Sequence, residues 1–412
     1  MRMTQPQQYD LIIVGGGAMG LATAYHASKR GAKTLVLEQY EFFNGLSSSG
    51  GETRQFRIQY AEEYMARLVL DAIPLWDELQ QHSAAPLRTR SGSLWFGDPS
   101  VSSSEGELTA AMEVLTKLGV PFEELDAAQI EAGYGFSNLQ ALDYSGFFQP
   151  DGGTLNVPAT LRTLAAQAQL STHVDLLAGR RITAIESHAD RVVVRTDTES
   201  FAGGKLVVAA GPFTNQVLGA LGVELDVLIW QMVSCYFRKR SPEVDFPSWF
   251  VFGAEAEYYN PNLFYGFEHL GWAHPGFIRV APAFALHSFR DPVERSERPE
   301  PLDLWLTSQW VAKHMPGLDP EPRFTSWCMA ALPADPHKKM FLDFAPDTVP
   351  NHRNIVVFSA GWAFKYVPLI GRICTDLALD GRTSYNVTPF AIGTSPAPAA
   401  RRAVEGLRRL PF

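Results

Sequence analysis

Three glycines and one acid carry the first chemistry in this chain. Tyr9-Asp-Leu-Ile-Ile-Val14 is an apolar run, Gly15-Gly16-Gly17-Ala18-Met19-Gly20 follows it, and after a helical stretch Lys33-Thr-Leu-Val-Leu37 ends on Glu38. That order predicts a strand, a glycine turn, a helix, a second strand and an acid. Gly15 permits the tight turn, Gly17 lets backbone approach a pyrophosphate, and Gly20 lets the helix pack close to the strand. The phosphates then sit on amides at the helix N-terminus, beside Ala18 and Met19. Glu38 stands 18 residues after Gly20, near the spacing of about 20 at which an acid holds a ribose hydroxyl pair. The same acid repels a 2′-phosphate. The bland alternative is an ordinary glycine-rich strand–helix turn. The unit starts close to the N-terminus, as in many FAD proteins, and these residues alone leave NAD open.

The elements that position such a site can be read along the rest of the chain. Its 412 residues, 46% of them hydrophobic, suffice for a large core and two domains. The net charge of −9 disfavours nucleic acid and anionic membranes as partners. No apolar run approaches the 18 or so residues of a membrane span, and the start has no apolar signal region, so the expected location is the cytoplasm. Cys235, Cys328 and Cys374 form no disulfide framework and have no metal-site spacing. The histidines show no ligand spacing either, and no metal is expected. The pattern predicts a long amphipathic helix over 62–81, a strand at Ser93-Leu-Trp-Phe96, and a glycine–proline turn series over 146–158 leading into a helix. Strands follow at Arg191-Val-Val-Val-Arg195, at Lys205-Leu-Val-Val-Ala-Ala-Gly211 and at Asn354-Ile-Val-Val-Phe358, the last leading to Gly361 and a helix. The expected fold is α/β plus α+β. A Rossmann-like nucleotide domain is assembled from residues 1–85, 146–225 and 326–390. A mainly antiparallel-sheet substrate domain, 86–145 and 226–325, is inserted into it, and 391–412 form a tail.

Five blocks, in order, resemble the monomeric sarcosine oxidase family of the D-amino-acid-oxidase-like FAD superfamily. They are the glycine unit; Gly51-Glu-Thr-Arg54-Gln-Phe-Arg57; the series Gly146, Pro150, Gly153, Pro158; Trp327-Cys328-Met329; and Gly361-Trp362-Ala363-Phe364-Lys365. Further segments, among them Arg57-Ile-Gln-Tyr60 and Phe264-Tyr-Gly-Phe267, are similar to the branch that oxidises piperideine-2-carboxylate toward picolinate. The resemblance implies FAD, tethered through the Cys328 sulfur, and places Ser48, Ser49, Gly211, Gly361, Phe364, Lys365 and Arg54 along the cofactor.

It also implies a substrate site. Oxidising a carbon next to a carboxylate requires that carboxylate to be held, and a guanidinium with an ammonium can do so. In the family the positions of Arg57 and Lys365 do this. Arg54 is expected near the flavin, to stabilise negative charge. Trp362 offers a flat face to a planar ring, where sarcosine oxidases carry histidine. Glu105 is either a buried acid that donates or relays a proton, or an exposed residue of a polar loop. Arg279 is the best match to the lysine that activates oxygen in sarcosine oxidases. Ala330 replaces a family tyrosine, which enlarges the pocket. The expected activity is oxidation of a secondary or cyclic α-amino acid, with O2 reduced to H2O2, by a monomer acting on a small molecule. A flavin dehydrogenase or 2-hydroxyacid oxidase using another acceptor, and a non-catalytic flavin-binding protein, are the alternatives.

Overall fold

The computed structural model describes residues 8–103, 105–254, 262–284 and 287–393. Most of the expected tail, including the Ser-Pro-Ala-rich stretch from 394, lies outside them.

The first apolar run forms the strand Gln8–Val14, central in an eight-stranded sheet. Ser200–Val208 and Thr34–Leu37 flank it in parallel. Ile355–Ser359 continues the sheet in parallel on one side and Val174–Leu177 on the other. Strands of such a sheet are covered on both faces, which is why they read as unbroken Val, Ile and Leu runs. Phe341–Phe344 pairs antiparallel to Ile355–Ser359, and Ile182–Ser187 with Val192–Thr196 adds an antiparallel extension. The helices Ala18–Lys29, Val157–Gln169 and Val367–Asp380 pack together beside this sheet. Their approach needs glycine. A Cβ on Gly20 would lie 1.8 Å from the Gly15 carbonyl oxygen, and one on Gly371 would lie 2.5 Å from Ala22.

The second sheet has nine strands, paired antiparallel except where Ser93–Gly97 meets Ser248–Phe252. Its core is aromatic: Trp95, Phe96, Phe147, Trp249, Phe250 and Phe252 are all buried. The long strands Val227–Lys239 and Leu318–Pro333 pair antiparallel, with Cys328 opposite Met232. Leu318–Pro333 therefore runs through the expected junction at 325/326, because Val227–Lys239 offers it a partner along its whole length. Ser145–Gln149, read from sequence as part of a turn series, is also a strand of this sheet, paired with Ser93–Gly97. The fold is mixed α/β and α+β, with a Rossmann-like dinucleotide sheet and a mainly antiparallel second sheet. A separate two-stranded ribbon, Thr53–Phe56 with Gly153–Asn156, carries Arg54 and runs directly into Arg57.

Candidate active site

A cleft of about 1210 Å3, counted out to its open mouth, lies along the glycine turn. Gly15, Gly17, Ala18, Met19, Glu38, Ser48, Ser49, Gly211, Gly361 and Phe364 all line it, as do Arg180 and Arg181, which the sequence reading did not name. Gly20 does not line it; that glycine acts beneath the turn, as the close packing above shows. The walls fit a dinucleotide at the turn, where Gly15, Gly16 and Gly17 line the cleft and Gly15 and Gly16 pack closely on the protein. A Cβ on Gly16 would lie 2.5 Å from the Phe42 ring, and one on Gly15 would lie 2.4 Å from the Ala209 carbonyl oxygen. Gly17 caps the helix without a side chain, and the Ala18 N–H donates to Ser49 Oγ at 3.0 Å. The Glu38 carboxylate accepts from the Gly16 and Tyr40 N–H groups at 2.7 and 3.0 Å, which pins it at the strand end.

A second cleft, of about 720 Å3, shares Ser48, Gly361 and Phe364 with the first. Arg54, Arg57, Glu105, Arg279, Cys328, Trp362 and Lys365 line it together, although they come from five places in the chain. Lys365 is buried, and its Nζ donates to the Tyr60 hydroxyl at 2.7 Å and to the Trp362 carbonyl at 3.0 Å. Burial holds that ammonium below the usual lysine range, while Tyr60 pulls it back up. Burial alone would raise the Tyr60 phenol; the charges of Lys365 and Arg57 outweigh it, so Tyr60 lies below its ordinary value. The Arg57 guanidinium lies over the rings of Tyr60 and Trp95, 4.8 and 4.7 Å from their centres. Its Nη2 is bonded to the Glu105 carboxylate, whose side chain is 10% exposed. Glu105 is thus not an exposed loop acid; its carboxylate is paired with Arg57.

Arg279 is buried. Its Nη1 donates to the carbonyl and hydroxyl of Thr53 at 2.7 and 2.6 Å, and its plane lies 4.7 Å from the Phe267 ring. Burial opposes its charge, but Tyr265 and Tyr236 more than compensate and hold its pKa above the ordinary value. Its Nε has no hydrogen-bond partner. Arg54 donates to the carbonyls of Thr53, Ser48 and Gly50 and lies 3.5 Å from Cys328 Sγ. Cys328 is half-buried and unpaired. Cys235 and Cys374, by contrast, are core residues whose thiols burial pushes up to about 12. The Trp362 indole meets Trp230 edge-on at 5.9 Å. Among the described residues, no group of three or more His, Cys, Asp or Glu could hold a metal ion, and no helix is long and apolar enough to cross a membrane.

The family described as "DAO: FAD dependent oxidoreductase" matches residues 10–377. The chain belongs to that family. The solved structure of NikD, "an unusual amino acid oxidase essential for nikkomycin biosynthesis", is 39% identical, covers 96% of this chain and 100% of its own, and superposes with a TM-score of 0.89. Human peroxisomal sarcosine oxidase is 28% identical over 95% of this chain and 98% of its own length. A protein named as a bifunctional amine oxidase in Dictyostelium discoideum is 35% identical over 95% of this chain, which spans 38% of that longer protein. L-proline dehydrogenase from P. horikoshii, 16% identical with a TM-score of 0.75 over 94% of this chain, shares the fold.

The chain is thus an FAD-dependent oxidoreductase of the amine and amino acid oxidase class. The structure brings the seven sequence-expected residues of the second cleft together. It adds Tyr60, Gln55, Phe250, Tyr265 and Phe267 around them. Tyr60 follows Arg57 by three residues in an irregular segment, where no periodicity could assign it a facing. Phe250 and Tyr265 sit in strands whose aromatic runs read as core, and each side of such a strand looks alike in sequence.

Proposed function

We propose that this oxidase acts on a secondary or cyclic α-amino (imino) acid, such as piperideine-2-carboxylate or pipecolate, and reduces O2 to H2O2. The observation that carries the reading is the second cleft. Two buried cations, Arg57 and Lys365, line a chamber that meets the dinucleotide cleft at Gly361 and Phe364. With Arg54 and Arg279 they bring four cations to it against one carboxylate, Glu105, and a substrate carboxylate offsets part of that excess. FAD held there would supply the chemistry: a hydride acceptor for the carbon next to nitrogen and a route for those electrons to oxygen. The residues of the glycine turn, with Glu38, Ser48, Ser49 and Gly211, hold the cofactor, and the Cys328 sulfur tethers it. Arg57 and Lys365 orient the carboxylate so that the reacting carbon is presented in one pose. Arg279 cannot give up its charge, so it supplies a fixed positive field for oxygen reduction. Arg54, bonded to backbone beside Cys328, adds to that field. Trp362 and the space left by Ala330 favour a flat ring over a small N-methyl amino acid.

NikD is named as an amino acid oxidase of nikkomycin biosynthesis, and that likeness supports a role in secondary metabolism for a cytoplasmic monomer. Purified protein should be yellow and keep its colour in the acid-precipitated polypeptide. Cys328→Ser should release the colour to the supernatant. Turnover of a cyclic amino acid should give one H2O2 per two electrons. Turnover without peroxide would transfer the reading to a dehydrogenase with another acceptor.

A further inference from the structure

The Arg57 guanidinium already has a carboxylate on it. Glu105 reaches Nη2 from a loop, and Nη1 donates to the Gln59 carbonyl at 3.3 Å and the Glu105 carbonyl at 3.4 Å. The same group lies over the rings of Tyr60 and Trp95. An incoming carboxylate therefore meets a cation whose anionic partner comes from the protein itself. The described residues on either side of Glu105 are tied down locally. Asp98 receives Ser100, Ser103 pairs with Gly106, and Gly106 has φ of 140°, a conformation that favours glycine. A Cβ on Gly106 would lie 3.2 Å from the Trp95 ring, so the loop rests on the same indole that Arg57 lies over.

We infer that Glu105 is an internal occupant of the carboxylate subsite, which a substrate must displace from Arg57 before it can bind. The inference rests on the proposed role of Arg57. It gives the Glu105 side chain a function as a gate. Without ligand, Glu105 neutralises the guanidinium; with ligand, the ligand carboxylate replaces it and the Glu105 side chain turns away. Only an anion can compete with Glu105 for a guanidinium, so the device selects carboxylates over neutral amines of the same shape. A ligand's affinity is then its intrinsic affinity reduced by the fraction of enzyme that has Glu105 bound.

The test uses the holoenzyme and two probes read by flavin absorbance: picolinate, and its neutral ester methyl picolinate. Glu105→Gln should tighten picolinate at least tenfold and change methyl picolinate less than threefold. Glu105→Asp, too short to reach Arg57 in the same pose, should tighten picolinate by a smaller factor, and it is read instead if the Gln variant fails to retain FAD. Unchanged or weakened picolinate binding in these variants would overturn the gate. Arg57→Met separates this from the parent reading. If Arg57→Met abolishes picolinate binding while Glu105→Gln leaves it unchanged, Arg57 binds carboxylates and the gate is wrong. If Arg57→Met has no effect, the carboxylate role and the gate fall together.

Discussion

At the scale of single residues, the site is a problem of charge in a confined space. Lys365 and Arg57 are both buried, and each has a partner that moderates its cost: Tyr60 for the ammonium, Glu105 for the guanidinium. Arg57→Met or Lys365→Met should lower kcat/KM for an amino acid substrate by about 10- to 150-fold each, the loss of a charged hydrogen bond worth about 1.5–3 kcal/mol; a neutral amine of similar shape should be little affected. The Lys365 proton gives a pH signature. Its ammonium is needed to hold a carboxylate, and burial places its pKa below the ordinary lysine value. Affinity for picolinate should therefore be present at lower pH and fall as pH rises through that lowered pKa. Tyr60, Arg57, Glu105 and Tyr366 surround the group, and Tyr60 is the neighbour that pulls it up. Tyr60→Phe should shift the fall to lower pH. A profile that did not move would show that the phenol does not govern Lys365.

At the scale of elements, the glycine turn works because two helices approach without side chains in the way. The helices Ala18–Lys29 and Val367–Asp380 meet at Gly371, and the buried His26 ring donates one bond from Nε2 to the Pro368 carbonyl at 2.8 Å. Burial lowers His26 from 6.5 to about 4. Between those values the unfolded chain binds a proton that the folded chain does not, so stability falls as pH drops from about 6.5 toward 4. The whole effect is worth about 3 kcal/mol. His26→Gln should flatten this part of the thermal-midpoint profile, and an unchanged slope would assign the acid loss to other groups. The parallel strands Gln8–Val14, Thr34–Leu37, Ser200–Val208 and Ile355–Ser359 were legible as apolar runs, and these helices as the stretches after their glycines, whereas the short parallel strand Val174–Leu177 was not read. Nor was Ser145–Gln149, because Gly146 and Pro150 around Phe147-Phe148 read as turn signals, whereas the chain uses them to end a strand on a crowded sheet.

At the scale of the whole molecule, the two sheets are stitched together by long-range returns. The dinucleotide sheet takes strands from residues 8–37, 174–208 and 341–359, and the aromatic sheet fills the intervals between them. Function sits where they meet. The ribbon Thr53–Phe56 delivers Arg54 and Arg57, Leu318–Pro333 delivers Cys328, and the turn after Ile355–Ser359 delivers Trp362 and Lys365. The individual candidate residues could be picked out because each stood in a block of distinctive order. Their mutual contacts could not: the Glu105–Arg57 pair joins positions 48 apart and Lys365–Tyr60 joins positions 305 apart, and nothing in local pattern encodes such a distance. Cooperation of distant segments also means that the oxidase should unfold in one transition with FAD bound.

The account stands most directly on one anaerobic experiment. The yellow holoenzyme is mixed with piperideine-2-carboxylate and pipecolate, and the flavin absorbance is followed with the native protein and with Lys365→Met. The account predicts rapid bleaching by at least one of these cyclic amino acids in the native protein, and bleaching slowed at least tenfold in the variant at the same concentration. Flavin that remains oxidised with every cyclic or N-methylated amino acid tried, or that bleaches equally fast without Lys365, would contradict it.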